Sequence, residues 1–308
     1  MAAADQRTPG ARWTPFLFLL PFLFFLMLFW VIPLVGGVKI SLQANGLGQA
    51  KCCTAQNCQC PKTSPYVGFE HYRALANDER YFKAIRNSFT YTLASIVAIV
   101  PLALWLAHLL RATFRRLRPV LTFALLLPAL TPPSVLAVLF LMVFYGDYGF
   151  LNQLVVIPLG FKSIRWLGDP NFILGGLVLQ NVWRWTGFMT FFILSGMEGI
   201  PKVYYEAARL ATGSRWQQFW HVTLPQLRPV LLFVMIYLFV DGFSQFVGAK
   251  LLLGSSGGTA DAGLLTISYM NYHTSNNDFG SAAALSISLL PVMVVALWAC
   301  LFIRRRTT

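Results

Sequence analysis

From Trp13 to Val38 the chain runs for 26 residues without a charged side chain. About 20 apolar residues let a helix cross the hydrocarbon core of a bilayer. This run therefore predicts a first membrane-spanning helix over 13–38. No clear small-residue cleavage site follows it, so it is expected to remain as a helix. Pro15, Pro21 and Pro33 should bend it, which neighbouring helices tolerate. Five more apolar runs follow, at about 89–110, 120–145, 172–196, 230–253 and 282–303. The run at 120–145 is broken by Pro128, Pro132 and Pro133, which frees backbone carbonyls and belongs beside a cavity or another helix. Only 11% of the residues are charged, less than half the roughly 25% of soluble domains. A chain of this length would lack the polar surface to cover a water-soluble fold. The expected class is all-α: a polytopic membrane protein with six transmembrane helices.

Six spans divide the chain into a tail at 1–12, a hydrophilic loop at 39–86, a core at 87–303 and a basic end at 304–308. They also put both termini on one side. Of the 24 basic residues, thirteen fall on the tail, the 111–118 loop, the segment around 198–228 and the C-terminus. Ten fall on the opposite loops, and Arg184 lies inside a span. The thirteen form tight clusters next to helix ends, and such short-loop charges set orientation. Both termini and the 198–225 segment are thus expected in the cytoplasm. The net charge of +13 does not point to nucleic acid, because the cations punctuate apolar runs instead of forming a stripe among exposed aromatics.

One polar stretch, Glu198 to Pro225, lies between two of the most apolar segments. Pro201 suits a first helical position, and Val203, Ala207 and Leu210 then share a helical face. Thr212-Gly213-Ser214 signals a turn. Trp216, Phe219 and Trp220 make a second apolar face, and Leu224-Pro225 is expected to end the unit. Two short amphipathic helices are predicted outside the membrane, each with an apolar side available to a partner.

Glu206-Ala207-Ala208, a glycine a few residues on, and Leu224-Pro225 resemble the EAA loop of permeases of ABC importers. The chain as a whole is similar to the larger-type permease of carbohydrate importers of the maltose and glycerol-3-phosphate family. The family pattern has its glycine one position before Gly213. The resemblance implies the type I importer permease fold in a bacterial cytoplasmic (inner) membrane. It implies that Glu206, Ala207, Ala208, Leu210, Gly213, Leu224 and Pro225 couple the permease to an ATPase. The implied partners are a second permease, two ATP-binding cassette subunits, an extracytoplasmic solute-binding protein and surrounding lipid. The chain has no G-x-x-x-x-G-K-[ST] to cradle phosphates. It is expected to be a non-catalytic subunit that binds no cofactor, with ATP and magnesium held by the partner ATPase.

Polar groups inside spans are costly and point to function. Asp241 and Gln245, four residues apart, share a helix face. Asp241 is also the expected partner of Arg184. Aligned without gaps on the EAA residues, the resemblance puts the family's sugar-contacting positions on Trp183, Arg184, Trp185, Phe188, Leu238, Asp241, Gly242 and Gln245. Aromatic rings stack on the apolar face of a sugar, and Arg, Asp and Gln bond its hydroxyls.

Cys52, Cys53, Cys58 and Cys60 cluster in the loop assigned to the outside. Disulfides suit an oxidising compartment, and four thiolates would also suit a metal, though the usual C-x2-C spacing is missing. Disulfides are expected here and no metal. A polytopic membrane enzyme or a passive channel is the alternative reading. The first would need a carboxylate dyad, an H-E-x-x-H or a nucleophile with its base, and none is present. The second does not account for an amphipathic cytoplasmic helix pair.

Overall fold

The computed structural model describes residues 14–44, 65–114, 116–211, 214–253, 263–276 and 278–306. The four clustered cysteines and Gly213 lie outside this range. The described residues are helical, with one isolated bridge between Gln43 and Tyr66. In order the helices are α1 (Thr14–Leu26), α2 (Ile32–Ser41), α3 (Glu70–Ala76), α4 (Glu79–Ala112), α5 (Arg118–Leu130), α6 (Pro133–Val143) and α7 (Ile173–Glu198). There follow α8 (Lys202–Ala211), α9 (Arg215–Gln218), α10 (Leu224–Ser244), α11 (Val247–Leu253), α12 (Thr266–Ser275) and α13 (Phe279–Arg306).

The chain divides into two compact units, residues 1–77 with 270–291 and residues 78–269 with 292–308. In the second, α4 starts at Glu79, well before Phe89 where the apolar run begins. Asp78 explains the early start: its carboxylate accepts the Arg80 amide at 2.9 Å and the Tyr269 hydroxyl, capping the first turn. Helix α7 packs on α4, α5 and α10. One apolar core joins Ile99, Met189, Ile193, Leu227 and Leu238. A second joins Tyr91, Leu136, Ile173, Leu177 and Leu265. Where α7 crosses α5, a Cβ on Gly187 would stand 1.7 Å from the Leu125 carbonyl oxygen. Only glycine permits that backbone approach, as at close helix crossings in membranes.

The first run, expected to bend at Pro15, Pro21 and Pro33, counts as one helix over 18–41, and Pro128 stays inside α5, but the prolines at 132–133 act more strongly than the sequence suggests. Thr131 and Pro132 are both extended (ψ 133° and 137°), since a residue before proline avoids the helical region. The run expected as one kinked span is therefore two helices, α5 and α6, bent by 95°. The run at 230–253 is not one span either. Helix α10 ends at Ser244 because Gln245 is extended (ψ 112°), and α11 starts afresh at Val247.

Two helices among the described residues, 18–41 and 79–112, are long and apolar enough to cross a bilayer, or four segments if each bent pair is one span. Helix α7 has 26 residues, but Gln180, Asn181 and Arg184 dilute its apolar character. The apolar part of α13, Phe279–Val295, is shorter. Length and apolarity thus give two to four spans, where the sequence suggests six.

The 146–166 loop is organised by one buried side chain. The Asn152 amide donates to the carbonyls of Gly146 (2.6 Å) and Ile164 (2.8 Å). Its oxygen accepts from the Ile164 amide (3.3 Å) and the Trp166 indole (3.1 Å). Asn152→Ala should leave these buried groups unpaired, at about 2–3 kcal/mol. The expected result is faster hydrogen exchange across 146–166 with little change elsewhere.

In the first unit, both His71 ring nitrogens are engaged, by the Ser281 hydroxyl at 3.0 Å and the Gln43 carbonyl at 3.1 Å. Asp278 accepts the Ser281 amide at 3.2 Å and pairs with His273, also at 3.2 Å. Burial pushes the Asp278 carboxyl up, but the Ser281 bonds and His273 outweigh it and hold it below the usual carboxylate value.

Candidate functional site

Two polar features stand out against the apolar bundle. The first lies between α4, α7 and α10. Trp185 and Phe188, three residues apart on α7, have ring centroids 5.6 Å apart. Tyr237 on α10 joins them, 5.1 Å from Trp185 and 5.9 Å from Phe188. The Trp185 indole donates to Asp241 Oδ2 at 2.8 Å. The Arg184 guanidinium lies 4.7 Å from the centroid of the Trp185 ring, within cation–π range.

The expected Arg184–Asp241 ion pair is not formed. Trp185 engages both groups instead, one by its ring and the other by its N–H. Arg184 Nε is buried without a hydrogen-bond partner, and so are both Asn181 amide atoms, Gln180 Oε1, the Tyr91 hydroxyl and the Ser95 hydroxyl. A buried unpaired polar group costs about 1–3 kcal/mol, so a row of them marks a place built to meet something polar.

The residues expected on a substrate path divide. Arg184, Trp185, Phe188 and Asp241 come together. Leu238 is buried in the apolar core beside Trp185. Gly242 faces Thr92 so closely that a Cβ would stand 2.3 Å from its hydroxyl. Gln245 is buried at the break after α10. Trp183 points elsewhere, 48% exposed with its ring 5.6 Å from that of Phe140. Sequence reasoning missed Tyr237, though it stands four residues before Asp241 and so on the same face. It also missed Tyr91 and Gln180, which are buried beside Gln245 and bring further polar atoms to this region.

The second feature is the 198–225 segment. Pro201 stands just before α8, and α9 begins at Arg215. Val203 is 70% and Leu210 93% exposed, with Glu206 and Ala207 also exposed and Ala208 partly covered. Trp216, Phe219 and Trp220 form a contiguous aromatic group, Trp216 being 68% exposed. Leu224-Pro225 does not end the unit. The helix continues through a π turn at Phe219–Thr223 into α10, and the direction changes by 67° near Leu227. Pro229 accounts for the bend, because it has no N–H for the Pro225 carbonyl four residues back.

Tyr205 ties α8 to the bundle. Arg111, on the last turn of α4, donates Nη1 to the Tyr205 hydroxyl at 2.9 Å, and its guanidinium lies 4.7 Å from that ring's centroid. The same hydroxyl is 3.1 Å from the Thr223 hydroxyl in the π turn. One side chain on α8 thus touches both α4 and the turn that leads into α10. Glu198, at the end of α7, pairs with Arg118 at the start of α5. Each charge is at the unfavourable end of its own helix dipole, and the pair offsets both. Between α4, α8 and α9 lies a groove of about 810 Å³.

Comparisons with known proteins show the family and the fold. The chain is 28% identical over 282 residues to the arabinooligosaccharides transport system permease protein AraP of Bacillus subtilis (strain 168), covering 91% of this chain and 85% of the relative. It is 29% identical to the trehalose/maltose transport system permease protein MalF of Thermococcus litoralis, over 88% of this chain and 87% of the relative. Among solved structures, a chain of a bacterial ABC transporter involved in the import of the acidic polysaccharide alginate superposes with a TM-score of 0.77. That likeness covers 97% of both chains at 20% identity and shows the shared fold. Residues 99–308 match the binding-protein-dependent transport system inner membrane component family. The chain belongs to that family and is a multi-pass membrane permease of a binding-protein-dependent ABC importer.

Proposed function

We propose that this chain is one of two membrane halves of an importer that carries a sugar or oligosaccharide into the cytoplasm. The observation that carries the reading is the set of unpaired buried polar atoms on Tyr91, Gln180, Asn181 and Arg184 next to the Trp185–Asp241 pair. Hydroxyl groups of a sugar would satisfy them, while Trp185, Phe188 and Tyr237 offer ring faces for its apolar side. The names of the oligosaccharide and trehalose/maltose relatives support the same substrate class.

In this reading an external binding protein delivers the solute, and a second permease completes the path. Two ATPase subunits hold ATP and magnesium, and this chain holds no cofactor. Glu206, Ala207, Ala208, Leu210, Gly213, Leu224 and Pro225 form the coupling surface on the cytoplasmic side, with both termini on that side. ATP-driven movement of α8 biases the membrane helices only through contacts that differ between the two states. The Tyr205 bonds to Arg111 and Thr223 join α8 to α4 and to the turn before α10, the route such a movement would take.

The test is uptake by the assembled importer in proteoliposomes, with a panel of labelled sugars and oligosaccharides. At least one is expected to be concentrated in an ATP-dependent way. Arg184→Gln should weaken its apparent affinity by about tenfold or more, the worth of one charge-assisted hydrogen bond. Unchanged affinity in that variant would remove Arg184 from the path.

A further inference from the structure

The groove between α4, α8 and α9 is strongly cationic. Arg111, Lys202, Arg209 and Arg215 line it, and Glu206 is the single carboxylate among its lining residues. Arg111 is held by Tyr205. Lys202, Arg209 and Arg215 are exposed and have no ion-pair or hydrogen-bond partner among the described residues. Four cations against one carboxylate in one concave space repel each other unless an anion is present.

The side chains flanking the groove are of the kinds found at headgroup depth. On the last turns of α4, Trp105 and Leu109 are exposed apolar residues, and Arg111 follows Leu109 within one turn. Outside the groove, Trp216 and Trp220 are exposed close in sequence to Arg215, which lines it. Tryptophans next to cations are characteristic of headgroup depth. Basic pockets at the ends of membrane helices bind anionic headgroups.

We propose that this groove is a binding site for the phosphate headgroup of an anionic phospholipid, with Arg209 and Arg215 as its main ligands. Bound there, the lipid bridges α8 to α4 and α9 and so stiffens the linkage made by Tyr205. The proposal rests on the 198–225 segment lying at the membrane surface, and its test does not require transport.

The full-length chain, purified in detergent, is mixed with phosphatidylglycerol, with phosphatidylcholine or with inorganic phosphate, and bound lipid is read by native mass spectrometry. Phosphatidylglycerol should be retained in preference to phosphatidylcholine. Arg209→Gln with Arg215→Gln should reduce that retention by roughly tenfold or more. Arg209→Lys with Arg215→Lys should keep most of it. Arg80→Gln with Lys162→Gln removes the same charge elsewhere and should leave retention unchanged. Equal retention of the two lipids, or equal loss in the control variant, would overturn the site. Full competition by inorganic phosphate would make it a site for a soluble anion. Displacement of the lipid on adding the ATPase subunit would assign the groove to that protein interface instead. Failure of the coupling reading is separate, since it shows in the uptake of Glu206 variants and not in lipid retention.

Discussion

Glu206→Lys is expected to abolish energised uptake while the protein still inserts and remains monodisperse. Glu206 is exposed on α8, and among the described residues it has no partner within this chain. Its replacement therefore removes no internal contact and should leave the fold intact. What changes is the surface offered to the ATPase. A reversed charge at a desolvated contact costs about 2–5 kcal/mol, which is a loss of at least about 30-fold in productive docking. Glu206→Gln should lose less, because it removes a charge without adding a repulsive one. Lipid retention in the basic groove should persist or rise in Glu206→Lys, since the change adds a cation. Normal ATP-driven uptake in that variant would contradict the coupling role.

Gly187→Ala is expected to have the largest effect on stability. The added Cβ would meet the Leu125 carbonyl oxygen at 1.7 Å and its carbon at 2.5 Å. Both atoms are backbone, so no side chain can rotate away, and α5 or α7 must shift as a whole. Overpacking commonly costs about 1–3 kcal/mol, and a rigid backbone obstacle puts this site at about 3 kcal/mol or above. Gly175→Ala on the same helix is the control, because nothing lies within 4 Å of its new methyl group. Fluorescence-detected size exclusion and thermal unfolding in detergent should separate the two. Equal behaviour would mean that α5 and α7 do not cross as described.

The apolar helices and their breaks are largely legible in the sequence, because they follow from long apolar runs and from proline. The double proline at 132–133 announces a break, but the size of the bend depends on where α6 packs, which local sequence does not carry. Leu224-Pro225 reads as a terminator because proline often ends helices. It sits instead within a continuous helical run, just after the π turn that leads into α10. The bend is caused by Pro229, which in the sequence reads only as the residue between Arg228 and the apolar run at 230–253. In the polar cluster, Arg184, Trp185, Phe188 and Asp241 are legible from residue type and spacing. An Arg184–Asp241 pair follows from charge alone, and charge says nothing of an indole between them. Asn152 is a loop asparagine like many others until its four bonds are seen.

The most direct test of the central claim is photo-crosslinking from position 210 in the assembled, active importer. Leu210 is almost fully exposed at the end of α8, so a photoreactive residue there should not disturb the fold. The account predicts a covalent adduct with the nucleotide-hydrolysing subunit. An adduct with the external solute-binding protein, or none in an importer that is actively transporting, would contradict it.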